Sequence, residues 1–287
     1  MTVKTSTEIG SFAQFVGEEK AVELIGKSGF DAWDFSLFNM GVYNWETNKL
    51  DDTPHPLNQS QYLKFARELK KIGEAYGMVC NQSHAPYPSD RIPLDYMKRS
   101  IECTAEAGGT ICVIHPDCYA SAEKNAEYYQ ALLPFAKEHG VKIATENMWD
   151  WKPGATTSCF AACATSEDFV KHVDLVNDPY LVACLDIGHA EMKGSGSGAV
   201  NMIRALGHRL QALHIHDNDL INDNHQIPFS MNIDFVEIAK ALKEINYTGF
   251  LTLEAIGFVK GGSFEELLDA ARQLLESVKR FDRLMIE

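Results

Sequence analysis

Residues 182–189 read VACLDIGH, a short apolar run followed directly by an aspartate and, three residues later, a histidine. Similar runs recur along the chain, and each is followed by a longer segment with helical periodicity. This alternation is typical of a parallel sheet whose strands are covered on both faces. We count eight such units of strand and helix.

The predicted strands lie near residues 5–9, 32–35, 78–82, 111–114, 142–145, 182–185, 212–215 and 250–253. The predicted helices lie near residues 19–27, 60–76, 94–107, 124–139, 166–176, 199–206, 234–245 and 264–281. A unit of about 36 residues fits a (β/α)8 barrel of ordinary size. No linker divides the chain, so we predict that residues 1–287 form a single (β/α)8 TIM barrel domain of the α/β class. The glycine- and serine-rich segment 194–198 is predicted to be a flexible loop over the barrel mouth.

The composition is that of a soluble globular protein. Hydrophobic residues make up 45% and charged residues 23% of the chain, which excludes a collagen-like, disordered or disulfide-scaffold protein. The 26 basic and 40 acidic residues give a net charge of −14, which disfavours binding to nucleic acid. The sequence shows neither a secretory signal nor a membrane span, and its seven cysteines include no CxxC pair. We therefore expect a cytoplasmic protein with reduced thiols and no membrane partner.

Side chains that can bind a divalent metal ion follow six consecutive predicted strands. They are Ser83-His84, His115-Pro116-Asp117, Glu146-Asn147, Asp186-Ile187-Gly188-His189, His214-Ile215-His216-Asp217 and Glu254. The carboxyl ends of barrel strands form the face that carries active sites. A single acid at a strand end is more often a helix N-cap. Six strands in succession favour a metal site, because unpaired carboxylates that face inward are costly.

Four of these residues, on adjacent strands, are predicted to bind the ion: Glu146, Asp186, His214 and Glu254. Hard oxygen donors and an imidazole that converge from separate rigid elements suit a catalytic divalent ion. The oxygen-rich set favours Mn or Mg, whereas additional imidazoles nearby would admit Zn, Co or Ni.

Further residues near the same face are predicted to contact the substrate or to support the metal. The predicted substrate contacts are His84, His115, His189, His216 and Trp149, and the candidate additional metal ligands are Asp223 and His225. His216 and Asp217 are spaced so that they can support the metal ligand His214. The rings that can stack on a sugar, or that simply pack in the fold, are Trp33, Phe38, Tyr87, Trp149 and Trp151.

In their order and spacing, the strand-end motifs resemble those of the xylose isomerase-like TIM barrel superfamily. The motifs are His84-Ala85-Pro86, Val113-Ile114-His115-Pro116, Glu146-Asn147, Leu185-Asp186-Ile187-Gly188-His189, Leu213-His214-Ile215-His216-Asp217-Asn218 and Leu253-Glu254. This superfamily includes sugar isomerases and epimerases, inosose dehydratases and the endonuclease IV family of DNA repair enzymes. The resemblance covers nearly the whole chain.

The resemblance to the sugar-acting branch implies one Mn, Mg, Co or Zn ion on Glu146, Asp186, His214 and Glu254. It also implies that one of the two glutamates removes a proton next to a carbonyl, that the metal stabilises the enediolate, and that the other glutamate returns the proton. By the same resemblance His189 binds a substrate oxygen. The implied substrate is a small sugar or polyol, and the implied reaction is isomerisation, epimerisation or dehydration.

The sequence lacks the arginine that ketose 3-epimerases usually carry shortly after the histidine of strand seven. The next basic side chain after His216 is His225, and no arginine follows before Arg272. This departure disfavours that particular activity. The scarcity of Lys and Arg near these loops also disfavours a phosphorylated sugar.

Two alternatives remain open. His84, His115, Asp223 and His225 match positions at which endonuclease IV-like enzymes place the additional ligands of a three-zinc cluster. The second reading is therefore a tri-zinc phosphodiesterase acting on abasic DNA, although the net charge of −14 and the lack of a basic stripe disfavour it. The third reading is a barrel subunit of a heteromeric sugar- or C-glycoside-processing complex. A homo-oligomer is expected, with a hetero-complex as the alternative.

Overall fold

The computed structural model describes residues 3–286. Its main sheet has eight parallel strands: β1 (Thr5–Glu8), β2 (Ala32–Ser36), β3 (Val79–His84), β4 (Ile111–Val113), β5 (Lys142–Glu146), β6 (Leu181–Asp186), β7 (Leu210–His214) and β8 (Leu251–Leu253). Each predicted strand overlaps one of these, and each strand lies beside the strand that follows it in sequence. The predicted (β/α)8 TIM barrel is confirmed.

Contacts at both edges of β8 close the sheet. β8 pairs in parallel with β1, and it meets β7 through a bridge between Ile215 and Leu253. At this bridge the Ile215 amide donates to the Thr252 carbonyl at 2.9 Å, and the Glu254 amide donates to the Ile215 carbonyl at 3.0 Å. Closure places the carboxyl ends of all eight strands around one mouth.

The helices are α1 (Gly10–Val16), α2 (Glu18–Ser28), α3 (Tyr62–Ala75), α4 (Leu94–Ala107), α5 (Ala122–Glu138), α6 (Ser166–Val176), α7 (Ile187–Glu191), α8 (Ala199–Leu206), α9 (Phe235–Glu244) and α10 (Phe264–Ile286). The short helices α1 and α7 were not predicted. The first turn of each helix donates a backbone hydrogen bond to the acid that ends the preceding strand. The Ser11 amide donates to Glu8 at 2.9 Å, and the His189 amide donates to Asp186 at 2.7 Å. Within residues 3–286, no helix combines the length and apolar character that a membrane crossing requires.

The glycine- and serine-rich segment 194–198 is not the free loop that its composition predicts. Ser195 is buried and donates to the carbonyl oxygen of His189 at 2.9 Å. A Cβ atom on Gly196 would lie 1.6 Å from the carbonyl oxygen of Ala164. The segment therefore packs directly against its neighbours, and glycine is needed for that close approach.

The outward side chains of the strands pack against the helices in the hydrophobic core. Trp33, which we expected in a loop near the barrel mouth, is 1% exposed and lies between β2 and α3. A Cβ atom on Gly73 of α3 would lie 2.8 Å from its Nε1 atom. Of the two roles left open for Trp33, the structure shows packing in the fold, because its ring belongs to the core.

Inward-facing side chains form a polar network inside the barrel. Ser6 donates to Oδ1 of Asn81 at 2.6 Å, and Asn81 donates to Oγ1 of Thr252 at 3.0 Å. Gln82 donates to Oδ2 of Asp34 at 3.0 Å. All five residues are buried, so their hydrogen bonds have to be made within the barrel.

Candidate metal centre

The mouth of the barrel opens into a cavity of about 610 Å³. Its walls include eight of the predicted metal ligands and substrate contacts: His84, His115, Glu146, Trp149, His189, Asp223, His225 and Glu254. Asp186, His214 and His216 are fully buried and do not line the cavity. The strand-end side chains therefore converge on one site, at the end of the barrel where such folds bind their ligands.

The four predicted metal ligands lie together at the base of this site. Ligand atoms of Glu146, Asp186, His214 and Glu254 all lie within 4.8 Å of one another. Nδ1 of His214 lies 2.9 Å from Oε1 of Glu146 and 3.8 Å from Oε2 of Glu254. The first three residues end β5, β6 and β7, and Glu254 follows β8 directly, so rigid strands hold all four. We call these residues the quartet.

Two histidines face the other oxygen of Glu146. Its Oε2 lies 3.1 Å from Nε2 of His115 and 3.6 Å from Nε2 of His84. Burial by itself raises the pKa of Glu146, but the charge on His214 and the closeness of the three imidazole rings outweigh burial and hold the pKa well below its usual range. Glu146 is therefore a carboxylate, which can act as a ligand or as a base.

Asp223, from the loop after β7, joins three histidines into a second cluster. Its Oδ2 lies 3.0 Å from Nε2 of His225 and 3.3 Å from Nε2 of His189, and its Oδ1 lies 3.5 Å from Nε2 of His216. Burial lowers the pKa of His225, but the hydrogen bond with Asp223 and neighbouring carboxylate charges raise it to about 9. Ligand atoms of these four residues lie within 4.8 Å of one another. We call them the loop cluster.

His216 does not take the place that its spacing suggested. Its Nε2 lies 3.1 Å from Oδ1 of Asp186, and its ring stacks on His225 with 3.9 Å between centroids. It therefore supports Asp186 instead of His214. Asp217 does not support His214 either, since its carboxylate accepts backbone amides of the following loop. Because His216 does not line the cavity, the structure does not place it for the predicted substrate contact.

Six buried polar atoms around the two clusters make no hydrogen bond to any described residue: Asp34 Oδ1, His115 Nε2, Glu146 Oε2, Asp186 Oδ2, His216 Nε2 and Asp223 Oδ1. Buried polar groups nearly always find a partner in folded proteins. Carboxylate oxygens and imidazole nitrogens that converge without hydrogen bonds are the groups that a bound cation satisfies. The donor set of the quartet therefore fits a divalent ion, and the loop cluster offers additional ligands of the same kind beside it.

Aromatic rings form the upper wall of the cavity. They belong to Phe38, Trp45, Tyr87, Tyr119 and Trp149. The sequence did not single out Trp45 and Tyr119, because neither adjoins a strand-end motif. Trp45 lies in a hairpin that pairs Tyr43–Asn44 with Lys49–Leu50, and Trp149 begins one that pairs Trp149–Asp150 with Cys159–Phe160. Trp151, which we also expected at this face, is not among the lining residues.

Three charged residues near the mouth escaped the sequence analysis. Arg91 lines the cavity, with its Nε 2.9 Å from Oδ2 of Asp90. It follows β3, whereas ketose 3-epimerases usually carry their arginine after strand seven. Asp34 is fully buried in β2. The feature of the sequence that could have indicated its role is a charged residue within an apolar strand. Glu8 ends β1, the most polar of the strands, and is also buried.

The buried carboxyl group of Glu8 predicts a pH dependence of stability. Burial raises the pKa of Glu8 from 4.5 to about 7, and hydrogen bonds from Ser11 offset only part of this effect. The unfolded chain therefore loses the proton at lower pH than the folded chain does. The stability that Glu8 contributes is fully present below pH 4.5 and is lost as the pH rises to about 7. This pKa difference corresponds to about 3 kcal/mol.

We expect Glu8→Gln to remove most of this loss. Urea unfolding followed at about pH 5 and about pH 7.5 measures it, since the wild type should lose stability between the two values and the variant should lose less. Glu276→Gln, on the exposed side of α10, is the matched control and should behave as the wild type. An equal loss in the wild type and Glu8→Gln would contradict the raised pKa.

The fold and the site together define the class of this protein: a (β/α)8 barrel with a candidate metal centre at the carboxyl ends of its strands. Residues 22–281 match the family described as the xylose isomerase-like TIM barrel. The chain belongs to this family, as its motifs predicted.

The proteins similar to this chain include a relative of similar sequence and several solved structures of similar fold. An uncharacterised protein of Methanocaldococcus jannaschii is 26% identical over 254 residues, which cover 82% of this chain and 78% of that protein. Among solved structures, a D-allulose 3-epimerase from Methylomonas sp. has a TM-score of 0.70 at 17% identity, covering 98% of both chains. A 3-keto-D-glucoside 4-epimerase from E. coli has a TM-score of 0.68 at 15% identity, covering 96% of this chain and 99% of that one. At such identities the likeness to solved structures shows the fold alone.

Proposed function

We propose that the protein is a divalent-metal-dependent enzyme that isomerises or epimerises a sugar or polyol by moving a proton next to a carbonyl. The quartet carries this proposal, because two glutamates, an aspartate and a histidine converge within 4.8 Å at the base of a cavity that opens at the barrel mouth. Several structural neighbours are sugar 3-epimerases, which supports the same reaction class.

The quartet would hold the divalent ion, which when bound would polarise the substrate carbonyl and lower the cost of removing the adjacent proton. Glu146 ends β5 and Glu254 follows β8, so they are the outer members of the quartet, and a substrate bound over the quartet has one carboxylate on each side. One carboxylate removes the proton, and the other returns it to the opposite face. His189, which lines the cavity beside the quartet, orients a substrate oxygen.

The cavity has room for more than a free hexose. Even at the roughly 30 Å³ that one water molecule takes in the liquid, the twelve non-hydrogen atoms of a hexose would fill only about 360 Å³, against about 610 Å³ here. Trp45, Tyr87 and Tyr119 line the cavity and are 67%, 53% and 79% exposed, so they offer apolar surface to a further group. A substrate panel should therefore include glycosides beside free ketoses and inososes.

A second candidate, the three-zinc phosphodiesterase, is supported by the groups that surround the quartet. His84 and His115 flank Glu146 on one side, and the loop cluster adjoins Asp186 on the other. Of the eight ligand positions named for that alternative, six line one cavity, and Asp186 and His214 are buried directly beside the lining residues Glu146 and Glu254. Arg91 is the one Lys or Arg among its lining residues and is paired with Asp90, which disfavours a phosphate backbone as ligand.

The metal content of the purified protein separates the two candidates. We expect elemental analysis to find one exchangeable divalent ion per chain, and we expect His214→Ala to lose it, because Nδ1 of His214 lies within the quartet. His208→Ala is the matched control, since His208 is exposed and precedes β7 at the opposite end of the barrel.

Other metal contents would point elsewhere. Three zinc ions per chain would favour the phosphodiesterase and call for an assay of abasic-DNA cleavage. A protein that binds no ion after addition of Mn²⁺, Co²⁺ or Zn²⁺ would contradict both metal-dependent enzymes and favour the third reading, a barrel subunit of a heteromeric complex.

A further inference from the structure

We propose that Asp34 is a positioning residue that fixes the ring of His214 so that its Nδ1 atom faces Glu146 and Glu254. Asp34 is fully buried in β2, and its Oδ2 lies 3.3 Å from Nε2 of His214. The effect of Asp34 on ion binding rests on the proposed function, whereas its effect on the orientation of the His214 ring does not.

The polar network inside the barrel fixes Asp34 from its other side. Oε1 of Gln82 accepts hydrogen bonds from Asn81 at 3.1 Å and from Thr252 at 3.3 Å. When the oxygen of an amide side chain accepts two hydrogen bonds, its nitrogen lies on the opposite side of the group. The Gln82 nitrogen accordingly donates to Oδ2 of Asp34 at 3.0 Å. Asp34 therefore presents an acceptor of fixed position to His214.

This acceptor determines which nitrogen of His214 keeps a proton. A carboxylate oxygen only accepts hydrogen bonds, so Nε2 of His214 carries a proton and donates it to Asp34. Nδ1, on the other side of the ring, lies 2.9 Å from Oε1 of Glu146 and 3.8 Å from Oε2 of Glu254. Nδ1 faces carboxylates as well, but these belong to the quartet whereas Asp34 does not. An ion on the quartet would therefore replace the proton at Nδ1 and leave the proton at Nε2, and a carboxylate partner on the opposite nitrogen is how proteins orient imidazole ligands.

A role in the barrel framework alone does not account for a carboxylate at this position. Oδ1 of Asp34 is buried and accepts no hydrogen bond from residues 3–286. A buried charge is costly unless its surroundings compensate for it. An asparagine could accept the same hydrogen bond from Gln82 without that cost. The charge is useful where it faces His214, because it increases the basicity of a ring that has to hold a cation.

Three variants and two measurements test this proposal. Asp34→Leu removes the acceptor, Asp34→Asn keeps an acceptor oxygen but removes the charge, and Thr104→Val breaks a buried hydrogen bond within α4, outside the network that fixes Asp34. The first measurement is Co²⁺ affinity by absorption titration. The second is exchange protection of the His214 Nε2 proton by ¹H–¹⁵N NMR of the metal-free and Zn²⁺-loaded protein, with the signal assigned by its absence in His214→Gln.

We expect Asp34→Leu to bind Co²⁺ about 10- to 100-fold more weakly and to lose the protected Nε2 proton. Asp34→Asn should lose less affinity and keep the proton signal, and Thr104→Val should change neither. Wild-type Co²⁺ affinity with a protected proton in Asp34→Leu would overturn the proposal. If that variant does not fold, undiminished Co²⁺ affinity in Asp34→Asn would overturn it. A wild type that binds no Co²⁺ contradicts the proposed function alone, because the proton signal of the metal-free protein still tests the role of Asp34.

Discussion

Replacing either Glu146 or Glu254 with glutamine is expected to abolish turnover, with kcat falling about 10²- to 10⁴-fold, while the barrel stays folded. Glutamine has the shape of glutamate but cannot take up a proton at neutral pH. Both carboxylates line the cavity and are nearly buried, at 1% and 6% exposure, so water cannot easily replace either one.

The fate of the substrate proton distinguishes the two glutamates. If one carboxylate removes the proton and the other returns it, one of the two variants should still exchange a substrate C–H with D₂O without inverting the carbon. Mass spectrometry of the recovered substrate measures this exchange, and circular dichroism checks the fold. Glu138→Gln, exposed at the end of α5, is the control. Full turnover in both Glu146→Gln and Glu254→Gln would remove the two glutamates from acid and base roles.

Gly188→Ala is expected to weaken ion binding at least about tenfold, an effect comparable to the loss of a group that supports a metal ligand. A Cβ atom at this position would lie 1.9 Å from Cε1 of His216. The ring cannot move freely, because it stacks on His225 and contacts Asp186. Either His216 or helix α7 has to shift, and α7 carries His189. Such overpacking also costs about 1 to 3 kcal/mol of stability.

A second glycine separates the effect on the site from the effect on the fold. A Cβ atom on Gly73 would lie 2.8 Å from Nε1 of Trp33, in the core between β2 and α3. Gly73→Ala should therefore lower the melting temperature without changing Co²⁺ affinity. If Gly188→Ala retained wild-type Co²⁺ affinity in the same titration, the contact between α7 and His216 would have no part in organising the site.

The barrel could be predicted because its strands are buried on both faces, which leaves short apolar runs in the sequence. Helices α1 and α7 could not be predicted in this way. Both are short, and each begins with a hydrogen bond to the acid that ends the preceding strand. An acid at a strand end reads equally well as a ligand or as a cap, and Asp186 is placed for both roles.

The residues of the quartet could be predicted because each follows its own strand, and the fold brings strand ends together. Asp34 and His216 could not be placed from spacing, because their contacts cross the barrel. Asp34 meets a residue 180 positions away, and His216 faces Asp186 instead of its near neighbour His214. The register between strands decides such contacts, and the spacing of residues along one strand does not reveal that register.

The loop cluster and the quartet are held by different kinds of structural element, and this difference affects how the site can change in evolution. The quartet is fixed to strands that the fold itself requires, whereas Asp223 and His225 belong to the loop between β7 and α9. Two substitutions in that loop would remove the carboxylate and one imidazole of the cluster and leave every barrel strand unchanged. The number of ions that the site could hold, and with it the chemistry, can therefore change by substitution at two loop positions in a lineage that keeps its barrel intact.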